Sequence, residues 1–270
     1  MQAMVNIALR AAQKAGAKIL RASEDLNRIN VEQKAVNDYV SDADRVAEQE
    51  IVYSILKAFP EHHVLTEESG LHKGPMAPDG ADYVWIVDPL DGTTNFVRGI
   101  PHYAVSIACS YKGRIEHAVV YDPVRDESFT ASRGRGAMLN NKRLRVSTRK
   151  SLEGALLGTG IPFLARHEQH LDVYTESLKE LASQSAGIRR AGSAALDLAY
   201  VAAGRLDAFW EYGLQSWDIA AGTLLITEAG GLVSDFSGGN KFLESGNIVA
   251  GGPKCFKEVL QVVNQHMGSI

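Results

Sequence analysis

The chain has 270 residues, 45% of them apolar and 22% charged, with a formal net charge of −4. Such a length buries a substantial core, and so small an acidic excess excludes global attraction to nucleic acid or to an anionic membrane. Two cysteines, Cys109 and Cys255, each in an apolar segment, exclude a disulfide framework and suit free thiols in a reducing compartment.

Residues 1–6 lack the basic start and apolar core of a secretory signal, and no apolar run approaches the roughly 20 residues of a membrane span. A soluble, cytoplasmic protein is expected. Residues 4–22 carry Met4, Ile7, Ala8, Ala11 and Ala15 at helical spacing with Arg10, Lys14 and Lys18 between them, which predicts an amphipathic helix. The stretch 34–44 is rich in acids and short of apolar periodicity. Ser41 or Asp42 is placed to cap a second helix, which carries Val46, Ala47, Ile51, Ile55, Leu56 and Phe59 and stops at Pro60. His63-Val64-Leu65-Thr66 reads as a short strand leading into Glu67-Glu68-Ser69. Adjacent glutamates on extended backbone point to opposite sides, so at most one of the two faces a shared site. Residues 71–82, with Gly74, Pro75, Pro78 and Gly80, predict a breaker-rich loop, either a mobile lid or an ordinary surface connection.

The run Tyr83-Val84-Trp85-Ile86-Val87 has the β-branched and aromatic content of a buried strand, and Asp88-Pro89-Leu90-Asp91-Gly92-Thr93 follows it directly. Two carboxylates three residues apart at a strand end put fixed negative charge at the rim of a sheet, where small ligands bind. Pro89 fixes one φ angle and Gly92 admits backbone shapes that other residues resist, so the turn is stiff. Like charges held together call for a cation, and oxygen ligands without a nearby cysteine or histidine favour magnesium over zinc. A bare pair of aspartates at this spacing also occurs in turns that only satisfy local backbone.

Strands over 103–111, 114–121 and 128–131, joined by short turns, predict an antiparallel meander. Residues 128–152 contain no acid and seven cations, namely Arg133, Arg135, Lys142, Arg143, Arg145, Arg149 and Lys150. This is a solvated face or an electropositive patch for RNA or an acidic protein. A strand over 154–160 and an amphipathic helix over 167–183 follow. A short strand then enters Gly192-Ser193-Ala194-Ala195 and a helix reaching residue 203. Small residues at that helix start suit a phosphate or hydroxyl-rich ligand and equally suit close packing. Residues 206–212 alternate like a strand, and Trp217-Asp218 opens an apolar helix that ends at Gly230-Gly231, with Asp218 in a capping position. Two final strands, at 232–234 and 248–250, and a helix from residue 253 complete the chain.

Glu67-Glu68-Ser69, residues 88–96, residues 192–197 and Trp217-Asp218 together resemble the inositol monophosphatase family of metal-dependent sugar-phosphate phosphatases, most closely its bacterial SuhB-type branch. The resemblance runs from about residue 38 to residue 251. It implies an α/β (α+β) fold, the layered αβαβα sandwich shared with fructose-1,6-bisphosphatase, where periodicity alone gives only mixed α and β. A single domain over 1–270, with two closely packed halves meeting near 150, is expected. The resemblance also implies two to three Mg2+ per subunit, held by Glu67, Asp88, the carbonyl of Leu90, Asp91 and Asp218. Thr93, hydrogen-bonded by Asp44, and Glu67 are the implied catalytic groups that orient and deprotonate a water. The implied substrate contacts are Asp91, Gly92, Thr93, Thr94, Arg189, Gly192, Ser193, Ala194, Glu211 and Asp218.

The activity implied is hydrolysis of inositol 1-phosphate by direct attack of a metal-activated water. Relatives acting on sugar or nucleotide bisphosphates share the metal loop and form the alternative substrate class. A homodimer is implied, with Arg190 a candidate for its interface. Members of the bacterial branch are also associated with RNA polymerase and its antitermination factors, which makes a regulatory binding role the second expectation.

Overall fold

Helix α1 (Ala3–Ser23) buries Val5, Ala8, Ala12, Ala15 and Ile19 along one face. Its small side chains let it lie close to the sheet beneath: a Cβ on Gly16 would stand 2.6 Å from the ring of Tyr121. Helix α2 (Asp42–Ala58) buries Ala47, Ile51 and Ile55 in the same layer. Its N-terminus is closed by a capping box, in which the Ala43 N–H donates to Ser41 Oγ and the Ser41 N–H to Asp44 Oδ2, at 3.2 and 2.8 Å. The computed structural model describes residues 3–26, 29–35, 38–161 and 168–269.

Strands β1 (Val31–Ala35) and β2 (Asp38–Ser41) form a small antiparallel hairpin ahead of α2. The large sheet contains β3 (His63–Thr66), β4 (Gly70–Lys73), β5 (Tyr83–Asp91), β6 (Ala104–Tyr111), β7 (Arg114–Asp122), β8 (Glu127–Ser132), β9 (Gly136–Leu139) and β10 (Lys142–Arg143). Its order is β10-β9-β8-β7-β6-β5-β3-β4, antiparallel except where β3 runs parallel to β5. The alternation of a strand sorts its side chains between two cores. Trp85, Val87, Val105 and Ile107 pack with α1 and α2, whereas Ala104 and Ala108 face the opposite layer.

The second sheet, in the order β12-β11-β13-β15-β14, comprises β11 (Leu156–Thr159), β12 (Gly187–Arg189), β13 (Ala208–Glu211), β14 (Leu232–Ser234) and β15 (Ile248–Gly251). Helices α5 (Ala194–Ala202) and α6 (Ser216–Glu228) lie between the two sheets and are buried almost all round, as a central layer requires. Helices α4 (Leu171–Gln184) and α8 (Pro253–Met267) cover the outer face of the second sheet around Trp210, Tyr174 and Val259. The layers therefore stack as αβαβα. A short α3 (Thr93–Val97) follows β5, and α7 (Phe242–Ser245) precedes β15.

Three segments depart from the sequence reading. The β1–β2 hairpin was hidden because Val31, Glu32 and Gln33 are all exposed, leaving no apolar alternation to see. β4 overlaps the start of the predicted 71–82 loop as an edge strand whose alternate residues are exposed. β5 does not end at Val87: Asp88 pairs with Ser106 and Asp91 with Ala104, so one extra residue is accommodated as a bulge and the strand continues to Asp91. The predicted start of α4 at residue 167 lies outside the described residues, and a 3-10 turn over Glu168–His170 precedes the helix.

Candidate active site

The bulge in β5 sets the geometry of the acids. Asp88 is 2% exposed, and its Oδ1 accepts the Leu90 N–H at 2.9 Å, which ties the side chain to its own turn. Three residues on, Asp91 closes the strand and Gly92 reverses the chain at φ 94°, a left-handed angle that favours glycine. A Cβ there would also press on the carbonyls of His102 and Gly192, at 3.1 and 3.2 Å. β3, parallel to β5, pairs Thr66 with Val87, and the Glu67 N–H donates to the Val87 carbonyl at 3.2 Å. Glu67 is thus delivered beside Asp88. Its neighbour Glu68 is held elsewhere, its N–H donating to Glu48 Oε2 of α2 at 3.0 Å.

Two helix starts from the central layer reach the same place. Asp91 Oδ2 accepts the Ser193 hydroxyl at 2.5 Å and the Ala195 N–H at 2.7 Å, so the acid sits at the head of α5, where Ser193 is the N-cap. Ser106, the register partner of Asp88, donates through Oγ to the Trp217 carbonyl at 3.1 Å and anchors the first turn of α6. Asp218 follows, with Oδ2 accepting the Gln215 N–H at 2.7 Å. The acid is a cap and a member of the cluster at once. Asn95 Nδ2 donates to the His102 and Ala191 carbonyls, at 2.8 and 2.9 Å, and binds α3 to the Gly192 turn.

Thr93 Oγ1 lies 2.8 Å from Asp44 Oδ1 and 3.0 Å from the Leu90 carbonyl. Asp44 Oδ2 accepts the Ser41 hydroxyl at 2.6 Å. Burial raises the Asp44 carboxyl, against the hydrogen bonds from Ser41 and Thr93 that lower it.

Electrostatics mark the cluster as unfinished protein chemistry. Burial first, then Glu67, Asp91 and Asp218, pushes Asp88 well above the carboxylate range. Burial, then Asp91, does the same to Asp218. Asp91 rises through burial to about 6 even though Ser193 and Ala195 favour its ionised form. Four acids from three chain segments therefore destabilise one another's charged forms, the condition a divalent ion relieves. The donor set is all oxygen, which fits Mg2+. Among the described residues no three acid, histidine or cysteine side chains enclose a single point as they lie.

A second group of charges lies beyond Asp91. Glu211 ends β13, and its carboxylate occupies the space beside Gly160, where a Cβ would fall 1.7 Å from Oε1. Burial, then Asp197, lifts Glu211 to about 8, while Arg190 opposes the shift. Asp197, on α5, is raised well above the usual range by burial and then by Asp91.

A sequence model of the inositol monophosphatase family matches residues 1–267. The chain belongs to the inositol monophosphatase family. It is similar to the "Nus factor SuhB" of Pseudomonas aeruginosa, 62% identical over 267 residues that cover 99% of this chain and 98% of that protein. The fold matches the crystal structure of the suppressor protein suhB from Bartonella henselae with a TM-score of 0.93 at 44% identity, covering 98% of this chain and 100% of that one. It also matches the staphylococcal IMPase-II with inositol monophosphate bound, with a TM-score of 0.80 at 28% identity, over 99% and 96% of the two chains.

Within this inositol monophosphatase-family chain, Glu67, Asp88, Leu90, Asp91, Gly92, Thr93, Thr94, Gly192, Ser193, Ala194, Glu211 and Asp218 all fall on the elements that converge at this site. Arg189 turns back along its own strand, with its Nη1 3.2 Å from the carbonyl of Ile188. Arg190 is the arginine whose charge bears on Glu211, Asp197 and Tyr174, and its Nη1 stands near Gly192. Sequence reading passed over Ser41, Asn95, Gly160 and Asp197 as site residues. The Ser41-x-x-Asp44 capping spacing was legible, but the partners of the other three come from distant strands and no local pattern marks them.

Proposed function

We propose that the protein is a Mg2+-dependent phosphate monoester hydrolase acting on inositol 1-phosphate or a closely similar small sugar phosphate. The observation that carries this reading is the convergence of Glu67, Asp88, Asp91 and Asp218, mutually repelling and all oxygen, next to the Thr93–Asp44 hydrogen bond. Those four acids and the Leu90 carbonyl would hold the ions. Bound Mg2+ supplies charge neutralisation for the phosphate and acidifies a water.

The chain's own part is alignment and proton handling. Thr93, with its proton committed to Asp44, has oxygen lone pairs free to accept a hydrogen bond from the attacking water. Asp44, raised by burial, is a better base than an exposed aspartate and takes the proton onward. Glu67 shares in orienting the water. The phosphate sits against Asp91-Gly92-Thr93-Thr94, where the glycine leaves the backbone approachable. Water attacks phosphorus directly, the bond from phosphorus to the ester oxygen breaks, that oxygen takes a proton from solvent and leaves as a hydroxyl, and no phosphoenzyme forms. Glu211 and the Gly192-Ser193-Ala194 turn meet the sugar hydroxyls. The solved relative with inositol monophosphate bound supports this substrate class.

Phosphate release from inositol 1-phosphate, titrated with Mg2+ for wild type and Asp88→Asn, tests the reading. Turnover that depends on Mg2+ and collapses in the variant supports it. Absence of turnover on this substrate and on fructose and nucleotide bisphosphates overturns it.

A second role is favoured by the name Nus factor carried by the 62% identical relative. We infer that the same fold associates with the transcription machinery. Arg135, Lys142, Arg143, Arg145 and Lys150 are exposed on the acid-free segment and make no ion pair with a described acid, which leaves them available to an acidic partner or RNA. Capture of transcription factors by Asp88→Asn as well as wild type would separate this role from hydrolysis, and loss of capture in that variant would refute the separation. A homodimer is inferred by family likeness, and light scattering of wild type and Arg190→Ala examines it.

A further inference from the structure

Helix α2 carries two buried acids one turn apart, Asp44 and Glu48, 1% and 5% exposed. Residues four apart lie one above the other on a helix face, and like charges so placed cost stability. The packing of α2 through Ala47, Ile51 and Ile55 needs neither acid. Asp44 meets Thr93. Glu48 has no part in the reaction outlined above, yet both of its oxygens are engaged by the turn that follows Glu67. Its Oε2 accepts the Glu68 N–H at 3.0 Å, and its Oε1 accepts the Ser69 hydroxyl.

The rest of the turn is arranged around that contact. Thr66 Oγ1 donates to the Gly70 carbonyl at 3.1 Å and closes the turn across Glu67, Glu68 and Ser69. With its proton committed to Glu48, Ser69 Oγ is left to accept from His72 Nε2, 2.6 Å away. The half-buried ring of His72 also stands 3.9 Å from Glu48 Oε1. On the other side, the Glu67 N–H donates to the Val87 carbonyl of β5. Glu67 is therefore gripped between β5 and α2, by its own N–H on one side and by the next two residues on the other.

We propose, on the reading of the site as a Mg2+-dependent hydrolase, that Glu48 is a positioning residue for Glu67, and that α2 is the common support fixing Glu67 relative to Thr93. Asp44 sets the threonine and Glu48 sets the turn, while one helical turn, about 5.4 Å of rise, separates the two anchors. A leucine at position 48 would pack, but it would leave the Glu68 N–H without its acceptor. Glu67 would then have to be ordered at the expense of Mg2+ binding.

The test measures Mg2+ binding by calorimetry on the substrate-free protein, with kcat and KM for inositol 1-phosphate beside it. Glu48→Ala is expected to weaken Mg2+ binding about 10- to 100-fold, the usual effect of losing a group that holds a metal ligand in place. At saturating Mg2+ it should still lower kcat, because Glu67 also orients the water, with KM little changed. Amide exchange over residues 67–70 in EDTA should quicken in the same variant. Glu48→Gln can accept the Glu68 N–H and donate to Ser69 Oγ, so it should recover most of the affinity. Ser69→Ala, which removes one of the two bonds, should fall between Glu48→Ala and wild type. Ile51→Val loosens the core beneath the same helix without touching the turn, and its Mg2+ affinity should match wild type. A Glu48→Ala affinity within about twofold of wild type overturns the proposal. So does an equal loss in Ile51→Val, which would mark a general effect of helix packing. Should Glu48→Ala fail to fold, Ser69→Ala decides, and unchanged affinity and exchange there overturn the proposal. A wild type that hydrolyses no phosphate monoester overturns the hydrolase reading itself, and the proposal with it.

Discussion

Thr93 and Asp44, separated by 49 residues in sequence, are joined by a 2.8 Å hydrogen bond between Thr93 Oγ1 and Asp44 Oδ1. Asp44 has a second duty in the capping box of α2, and the two duties separate by mutation. Thr93→Val keeps the shape and loses the hydroxyl: kcat on inositol 1-phosphate should fall on the order of 10²- to 10⁴-fold with KM little changed. Asp44→Ala should lose activity similarly and also lower stability by about 1 kcal/mol through the lost cap, measured by urea unfolding.

The acid cluster predicts an exchange between stability and metal response. Asp88→Asn should raise the thermal midpoint of the Mg2+-free protein, because it removes a buried charge repelled by Glu67, Asp91 and Asp218. The same variant should lose most of the stabilisation that Mg2+ gives wild type, about 2.7 kcal/mol at a hundredfold excess over Kd. Thermal shift in EDTA and in a Mg2+ series measures both, and a destabilised variant that still responds to Mg2+ would contradict the assignment.

Glu211 gives a pH signature. Its carboxyl is lifted from 4.5 to about 8 in the folded protein, so between those values the folded chain holds a proton that the unfolded chain releases. Stability contributed by this group is full below about pH 4.5 and is lost as pH rises towards 8, with no further change above. Glu211→Gln should therefore be more stable than wild type at pH 8 without Mg2+, with the difference shrinking towards pH 4.5. Denaturant titrations at pH 5, 6.5 and 8 provide the comparison.

Gly160 predicts a steric lesion. Alanine there would place a Cβ 1.7 Å from Glu211 Oε1, so the carboxylate must move. Gly160→Ala should raise KM for inositol 1-phosphate as Glu211→Gln does, with an overpacking cost of about 1–3 kcal/mol. Unchanged KM would mean that Glu211 does not contact the sugar.

Much of this architecture could be read from local pattern. The alanine-rich face of α1, the β-branched run before Asp88 and the meander from β6 to β8 each follow from periodicity that packing then satisfies. Edge elements were harder. β4 alternates between half-buried and exposed positions, and short Gly-rich or charged strands such as β9 and β10 carry no period of their own. In the site, Asp88 and Asp91 announced themselves through a stiff turn, yet their geometry depends on a bulge measured against β6, which only pairing reveals. The different placement of Arg189 and Arg190 has the same origin: the first ends the short edge strand β12 and the second lies just beyond it, and sequence shows two adjacent arginines alike.

The two hydrogen bonds that Asp91 accepts from Ser193 and Ala195 span 102 and 104 residues, from the large sheet to a helix of the central layer. The Ser106–Trp217 bond makes a second such crossing. No fragment ending before residue 193 can hold Asp91 in place, and none beginning after it supplies Asp88 or Thr93. Turnover is thus a readout of complete folding: during synthesis or refolding, hydrolysis should appear last, after both sheets have formed and closed on the helices between them. A partly assembled chain would be catalytically silent, with its acids exposed to solvent and its affinity for Mg2+ still to come.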